Sequence, residues 1–369
     1  MALQFNPEPP VHVERLERPT PIAKAVALSR VMFERRDVAE MSRFLKDFGL
    51  MPVEAPGPTR YFRGYGTAAW LVSVTPAAQD RFAGFAASVG SASDLSALSK
   101  ATGASIEIAQ GPGGGQRVRL TDPDGLVVDV LHGEDRVAPL PTRVEQIPAN
   151  TPGKRVRVNQ GVRTPIEPAP VFRLGHVVLQ RPDFARASAW YMRHLGLIPT
   201  DVQVLEDGRP AMGFFRLDRG AEPTDHHSLA LLGGPAVSML HVSLETYDLE
   251  SVGQGHQFLR AQGWTPYWGI GRHNLGSQIF DYWKDPVGDE WEHYADGDLM
   301  DASYPTGYHA LTRGTLWAWG DDLPASMRPP FKLEDVPHIH AAGGFGAMDL
   351  QSVTGLMKAL LAKPRPWME

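Results

Sequence analysis

This chain repeats itself. Asp47-Phe48-Gly49-Leu50-Met51-Pro52 and His194-Leu195-Gly196-Leu197-Ile198-Pro199 hold the same place in two longer segments built on one plan. A self-similar chain buries the apolar face of each copy against another copy, so the repeat constrains the architecture more than any single residue does. The first copy opens with the β-branched, apolar run Ala27 to Phe33, which reads as a strand. A helical stretch, Val38 to Phe48, follows and is closed by Gly49. The second copy opens with a strand at Leu174-Gly175-His176-Val177-Val178-Leu179, then a helix from Phe184 to His194. Further on, Ser93-Asp94-Leu95 and Tyr247-Asp248-Leu249 each start a second helix. Each copy then reaches a tight turn, at Asp122-Pro123-Asp124-Gly125 and at Asp285-Pro286-Val287-Gly288. The expected unit is βαβββ, used more than once in each half of an α+β chain.

Residues 136–170, rich in Pro, Arg and Val, read as an extended connector able to contribute a strand. The domains expected are therefore 24–135, the connector 136–170, 171–300, and a tail over 301–369. That tail reads as loop-like except for a helix from Asp349 to Ala362, and it is long enough to fold back and close a pocket. With 369 residues, 43% of them hydrophobic, two ordinary cores are within reach. Lys and Arg total 36 against 42 Asp and Glu, with no basic tract, so nucleic acid is not the expected partner. The absence of cysteine excludes disulfides and thiolate metal sites. No apolar run reaches the ~18–20 residues of a membrane span. Met1 to Pro10 lack the pattern of a signal peptide, so a cytoplasmic protein is expected.

Three polar residues stand out in short strand-like stretches of the second half, the two histidines in apolar ones. They are His176, His241 within Met239-Leu240-His241-Val242-Ser243-Leu244, and Glu292 within Asp289-Glu290-Trp291-Glu292-His293-Tyr294. A polar side chain buried unpaired costs ~1–3 kcal/mol, so each must be satisfied. Either histidine alone reads as a satisfied core residue. Two imidazoles and a carboxylate together suit Fe(II) or Mn(II), with open positions for an organic substrate and O2.

Taken together with their neighbours, these residues resemble the type I extradiol ring-cleaving dioxygenases of the vicinal oxygen chelate superfamily. The spacing is 65 residues from His176 to His241 and 51 from His241 to Glu292. Around it stand Gly271-Arg272-His273, Tyr282 and Asp285-Pro286-Val287-Gly288. The resemblance covers about residues 24–300 and is strongest over 172–298. It implies two domains of paired βαβββ modules, each forming an open mixed β-barrel, of which only the second is catalytic. It implies His176, His241 and Glu292 as ligands of Fe(II), or of Mn(II), which the same donors accept. It also implies an acid-base histidine ahead of the second ligand. His226 and His227 both qualify, and alternation favours His227 facing the pocket with His226 left to the surface. Tyr282 and His273 are implied to lie near the bound substrate and oxygen.

The implied reaction is meta cleavage of a catechol by O2, giving a hydroxymuconic-semialdehyde-type product, in a homo-oligomer. Rival readings are a 4-hydroxyphenylpyruvate-type 2-oxo-acid dioxygenase, to which Gly343-Gly344-Phe345-Gly346 is faintly similar, a non-redox metal-dependent lyase or isomerase, and a degenerate binding module. Laid on the first copy, His176 falls opposite Arg30, His241 opposite Ala87 and Glu292 opposite Asp129, which argues against a site shared between copies.

Other features read as structural. Gly111 to Gly115 is a hairpin tip, lacking the context and lysine of a phosphate loop. His132, His256, His293 and His309 read as surface or packing residues, and His338 and His340 alternate as in a strand. Trp264, Trp283 and Trp291 read as core, whereas Tyr267 and Trp268 stand close enough to His273 to border the site. Val178 and Arg219 occupy positions at which relatives with carboxylate-bearing substrates differ, so that specificity is not expected here.

Overall fold

A computed structural model describes residues 8–142 and 148–362. The reading of the N-terminal ten residues lies largely outside the described residues, as does part of the connector. The first half consists of β1 (Ala25–Arg35), α1 (Val38–Asp47), β2 (Met51–Val53), β3 (Arg60–Arg63) and β4 (Val72–Pro76). These are followed by β5 (Arg81–Val89), α2 (Ala92–Thr102), β6 (Ile106–Ile108), β7 (Gln116–Thr121) and β8 (Val127–His132). The second half repeats the scheme with β9 (Val171–Arg181), α3 (Phe184–Leu195), β10 (Ile198–Val204), β11 (Pro210–Arg216), β12 (Thr224–Asp225) and β13 (Leu229–Gly233). Then come β14 (Ser238–Thr246), α4 (Leu249–Ala261), β15 (Thr265–His273), β16 (Ile279–Lys284) and β17 (Glu290–Ala295). The tail adds β18 (Leu299–Met300), β19 (Gly307–Ala310), β20 (Trp317–Trp319), α5 (Val336–Ala341) and α6 (Leu350–Leu361), with short 3-10 turns between them.

Each half is one mixed sheet made from two βαβββ modules. The orders are β2-β3-β4-β1-β5-β8-β7-β6 and β19-β10-β11-β13-β9-β14-β17-β16-β15-β20. In both, the first strands of the two modules lie side by side and antiparallel at the centre. Local chemistry sets the ends of the elements. All four module helices start on an oxygen-bearing cap: Asp37, Ser91, Asp183 and Asp248 each accept from a backbone N–H in the first turn. Asp122 and Asp285 accept from the backbone two and four residues on, closing the two turns the repeat predicts. The glycine run at 111–115 is the connection between β6 and β7, as expected.

One apolar cluster runs through both halves. Phe33 and Phe44 of the first half pack on Trp291, and Phe44 also meets Trp264 edge-on. Two buried ion pairs cross between the halves in a reciprocal way. Arg35, at the end of β1, meets Asp285 in the second half's turn at 3.0 Å. Arg181, at the end of β9, meets Asp122 in the first half's turn at 2.8 Å, and the Tyr191 hydroxyl donates to the same carboxylate. Neither pair is evident from the sequence, because its members lie 250 and 59 residues apart.

The tail differs from its loop-like reading. β19 runs parallel to β10 on one edge of the second sheet, and β20 pairs antiparallel with β15 on the other. Open edges seek backbone partners, and the tail supplies both. His338 and His340 lie in α5 rather than in a strand. The helix expected at 349–362 is α6, capped by Asp349. Among the described residues no helix is long and apolar enough to cross a membrane.

Candidate active site

Strand register brings the candidate residues together. His176 on β9 is paired with Ser243 on β14, Ser243 with Glu292 on β17, and Glu292 with Tyr282 on β16. Directly paired residues share a face, so His176, Ser243, Glu292 and Tyr282 form one row across four strands. His241 lies two residues before Ser243 and returns to the same face. The result is a cluster in which one donor atom from each of His176, His241 and Glu292 lies within 4.8 Å of the others. His176 Nε2 is 3.0 Å from Glu292 Oε2 and 3.3 Å from His241 Nε2.

This cluster fits a divalent metal. Both Glu292 carboxylate oxygens are buried without a hydrogen-bond donor. An unpartnered buried carboxylate is costly, and a cation held jointly with two neutral imidazoles removes that cost. Burial alone would push the Glu292 carboxyl up, but His176, His273 and His241 around it hold it well below the usual range. Burial pushes the His241 imidazole down to about 3, leaving it neutral with a lone pair to give.

The residues expected around these donors are there. His227 is buried with its ring centroid 4.2 Å from that of His176, and burial, then His176 and His226, drive its pKa well below the ordinary value. Tyr282 is buried and its hydroxyl pKa is raised by burial and by Glu292, so it stays protonated. His273 reaches Glu292 Oε1 at 3.5 Å and the Tyr282 hydroxyl at 3.0 Å. Its Nδ1 donates to the Leu316 carbonyl of the tail, so in the neutral ring Nε2 accepts from Tyr282. Trp268 stacks behind Tyr282, and its indole donates to the Asp321 carbonyl. Val178, Phe214 and Ala230, with the half-buried Leu240 and Leu275, form an apolar wall, and Phe214 meets the His227 ring edge-on.

Close approach explains Gly175. A Cβ there would lie 2.3 Å from the Tyr294 ring and hydroxyl, which pack beneath His176. Gly175→Ala is expected to cost about 1–3 kcal/mol by overpacking. It should also loosen metal binding, checked by thermal unfolding and metal content. An unchanged melting temperature would contradict this packing.

Two readings need correction. His226 is not on the surface: it is 1% exposed, and its ring lies against that of His227. Alternation misleads here because 226–228 lies outside the regular strands, between β12 and β13. His309, read as a surface or packing residue, is half-buried and donates to Asp201 at 2.7 Å, within that reading. In the first half the partner of His241 is Gly84, not Ala87, since Gly84 pairs with Met32 and Val127 as His241 does with Val178 and Glu290. Arg30 and Asp129 do match His176 and Glu292 in register, and Asp129 is bound to Arg117 and Arg119. The first half therefore lacks a donor set. His293 is buried, stacked on Phe48 and bonded to its carbonyl, and His256 bonds Asp281, so both are packing residues as read.

Residues 173–293 match the profile of the Glyoxalase/Bleomycin resistance protein/Dioxygenase superfamily. Metapyrocatechase 2 of Cupriavidus necator is 35% identical over 208 residues, 55% of this chain and 60% of that enzyme. Among solved structures, an extradiol ring-cleaving dioxygenase from B. fuscum superposes with a TM-score of 0.69 at 19% identity, covering 85% of this chain and 84% of that one. Homoprotocatechuate 2,3-dioxygenase from Arthrobacter globiformis gives 0.68 at 21%, covering 85% and 94%. A Mn(II)-bound glyoxalase from Novosphingobium aromaticivorans gives 0.68 at 23%, covering 84% and 96%.

Proposed function

We propose that this chain, whose residues 173–293 match the glyoxalase/dioxygenase superfamily and whose fold is similar to that of an extradiol ring-cleaving dioxygenase, is an extradiol dioxygenase. It would open a catecholic ring beside the two hydroxyls with both atoms of O2. The observation that carries this reading is the meeting of His176, His241 and Glu292 donors beside a buried His227 and Tyr282. These three residues would hold Fe(II), or Mn(II), which would lower the substrate hydroxyl pKa and give O2 a redox partner.

The remaining steps belong to the protein's own side chains. His227 Nε2 makes no hydrogen bond among the described residues, and there it would take a substrate hydroxyl proton and later return one. Tyr282, its O–H turned to His273, offers its oxygen to the substrate side and keeps its proton throughout. The wall of Val178, Phe214 and Ala230 would seat an apolar ring face and exclude water.

His227→Phe is expected to keep its metal and lose about 10²–10⁴-fold in turnover, the usual worth of a positioned acid-base group. Oxygen consumption with catechol, and the yellow ring-opened product, measure it. Turnover at the wild-type rate would remove His227 from the reaction. The 2-oxo-acid alternative has less support, because Phe345 of its tail motif is taken up in packing with Val336 and α6. Oxygen uptake with a 4-hydroxyphenylpyruvate but not with any catechol would reverse that preference.

A further inference from the structure

His227 is the visible end of a longer hydrogen-bonded line. Its Nδ1 lies 3.0 Å from His226 Nδ1. His226 Nε2 lies 2.6 Å from Asp201 Oδ2, and the other oxygen of Asp201 lies 2.7 Å from His309 Nε2. All but the last are buried, while His309, on the tail strand β19, is partly exposed. The backbone fixes the line as well. The Thr200 hydroxyl donates to the His226 carbonyl, and the His226 N–H donates to the Asp298 carbonyl. Gly307 leaves the space in which Asp201 and His309 meet, for a Cβ there would lie 2.1 Å from Asp201 Oδ1.

The chemistry of the line has one consistent assignment for neutral rings. A carboxylate only accepts, so both imidazole nitrogens facing Asp201 carry hydrogen. His226 therefore has its hydrogen on Nε2 and a lone pair on Nδ1. The hydrogen between the two Nδ1 atoms then belongs to His227, whose Nε2 is left bare.

We infer that Asp201 and His226 are positioning residues that hold His227 in the tautomer with a bare Nε2, and that His309 anchors Asp201 from the tail. When His227 Nε2 accepts a proton, the resulting positive ring donates through His226 toward a fixed negative charge. No proton has to leave His227 for this to help. The inference rests on the proposed role of His227, yet its tautomer is observable without turnover.

The test uses full-length protein with ¹⁵N-labelled histidine, loaded with Zn(II) as a diamagnetic stand-in. Wild type should show His227 protonated at Nδ1 and bare at Nε2, with a nitrogen–nitrogen coupling to His226. In Asp201→Asn the side-chain amide can donate to His226 Nε2, which moves the hydrogen of His226 to Nδ1 and that of His227 to Nε2. A comparable Asn-for-Asp exchange behind a catalytic histidine drops kcat by ~10⁴ in serine proteases. Here kcat for catechol should fall at least ~100-fold by the same tautomer argument. KM and metal content should stay within about twofold, because the carboxylate bonds His226 and His309 and none of His176, His241 and Glu292. His309→Gln, which keeps a donor to Asp201, should restore most of what His309→Phe loses.

If wild-type His227 carries its hydrogen on Nε2, or keeps one tautomer in both proteins, the inference fails whatever the activity. If Asp201→Asn does not fold, the wild-type spectrum and the His309 pair still decide. If the tautomers behave as stated but wild type consumes no oxygen with any catechol, the reaction assignment fails and the positioning stands.

Discussion

Glu292→Gln protein should purify folded and bind Fe(II) far more weakly than wild type. The loss should exceed the ~10–100-fold that follows removal of a group supporting a metal ligand. Glu292 is fully buried and supplies the single carboxylate of the donor set. The two metal-free proteins set the baseline, in which wild type keeps the attraction of His176, His273 and His241 for the carboxylate and the amide variant does not. The larger difference appears when Fe(II) is added. Wild type gains by binding the ion only when folded, about 2.7 kcal/mol at a hundred times the dissociation constant, whereas the variant gains nothing at that concentration. Thermal unfolding with and without Fe(II) reads both arms. A variant that is stabilised by Fe(II) as much as wild type would show that Glu292 is not a ligand.

Asp122→Ala should destabilise the protein by about 3–5 kcal/mol, the cost of leaving one partner of a buried ion pair uncompensated. Arg181 is 1% exposed and would keep its charge with Asp124, at 3.6 Å, as its remaining carboxylate neighbour. The Tyr191 hydroxyl would lose its acceptor as well. Replacing both members, as in Asp122→Leu with Arg181→Met, should recover most of the loss, since no unpaired charge remains. Urea unfolding measures this, and a loss below about 1 kcal/mol for Asp122→Ala would mean that water or Asp124 compensates Arg181.

The residues that made the site legible in the sequence are those whose chemistry is out of place. His176 and His241 stand in apolar strands, Glu292 follows the Asp-Pro-x-Gly turn in a mixed strand, and the strand register carries them to one point. The module plan was legible because its capping aspartates and turn residues act locally, within four residues. What escaped depends on contacts between distant segments. Asp201 looks like an ordinary strand residue until His226 and His309 close on it. The 301–319 stretch has no period of its own, because β19 and β20 exist through the edges they pair with. The displacement from Ala87 to Gly84 has a simple cause. Phe82-Ala83-Gly84-Phe85-Ala86-Ala87-Ser88 has small residues on both faces, and bulges shift its pairing with β1.

The central claim is that three side chains far apart in the chain bind one redox-active ion. Anomalous X-ray diffraction at the iron absorption edge, on crystals of protein loaded anaerobically with Fe(II), tests it directly. The account predicts a single strong peak per chain, within bonding distance of one nitrogen each of His176 and His241 and one oxygen of Glu292. A peak elsewhere, or no peak among these side chains in protein that consumes oxygen with catechol, would contradict it.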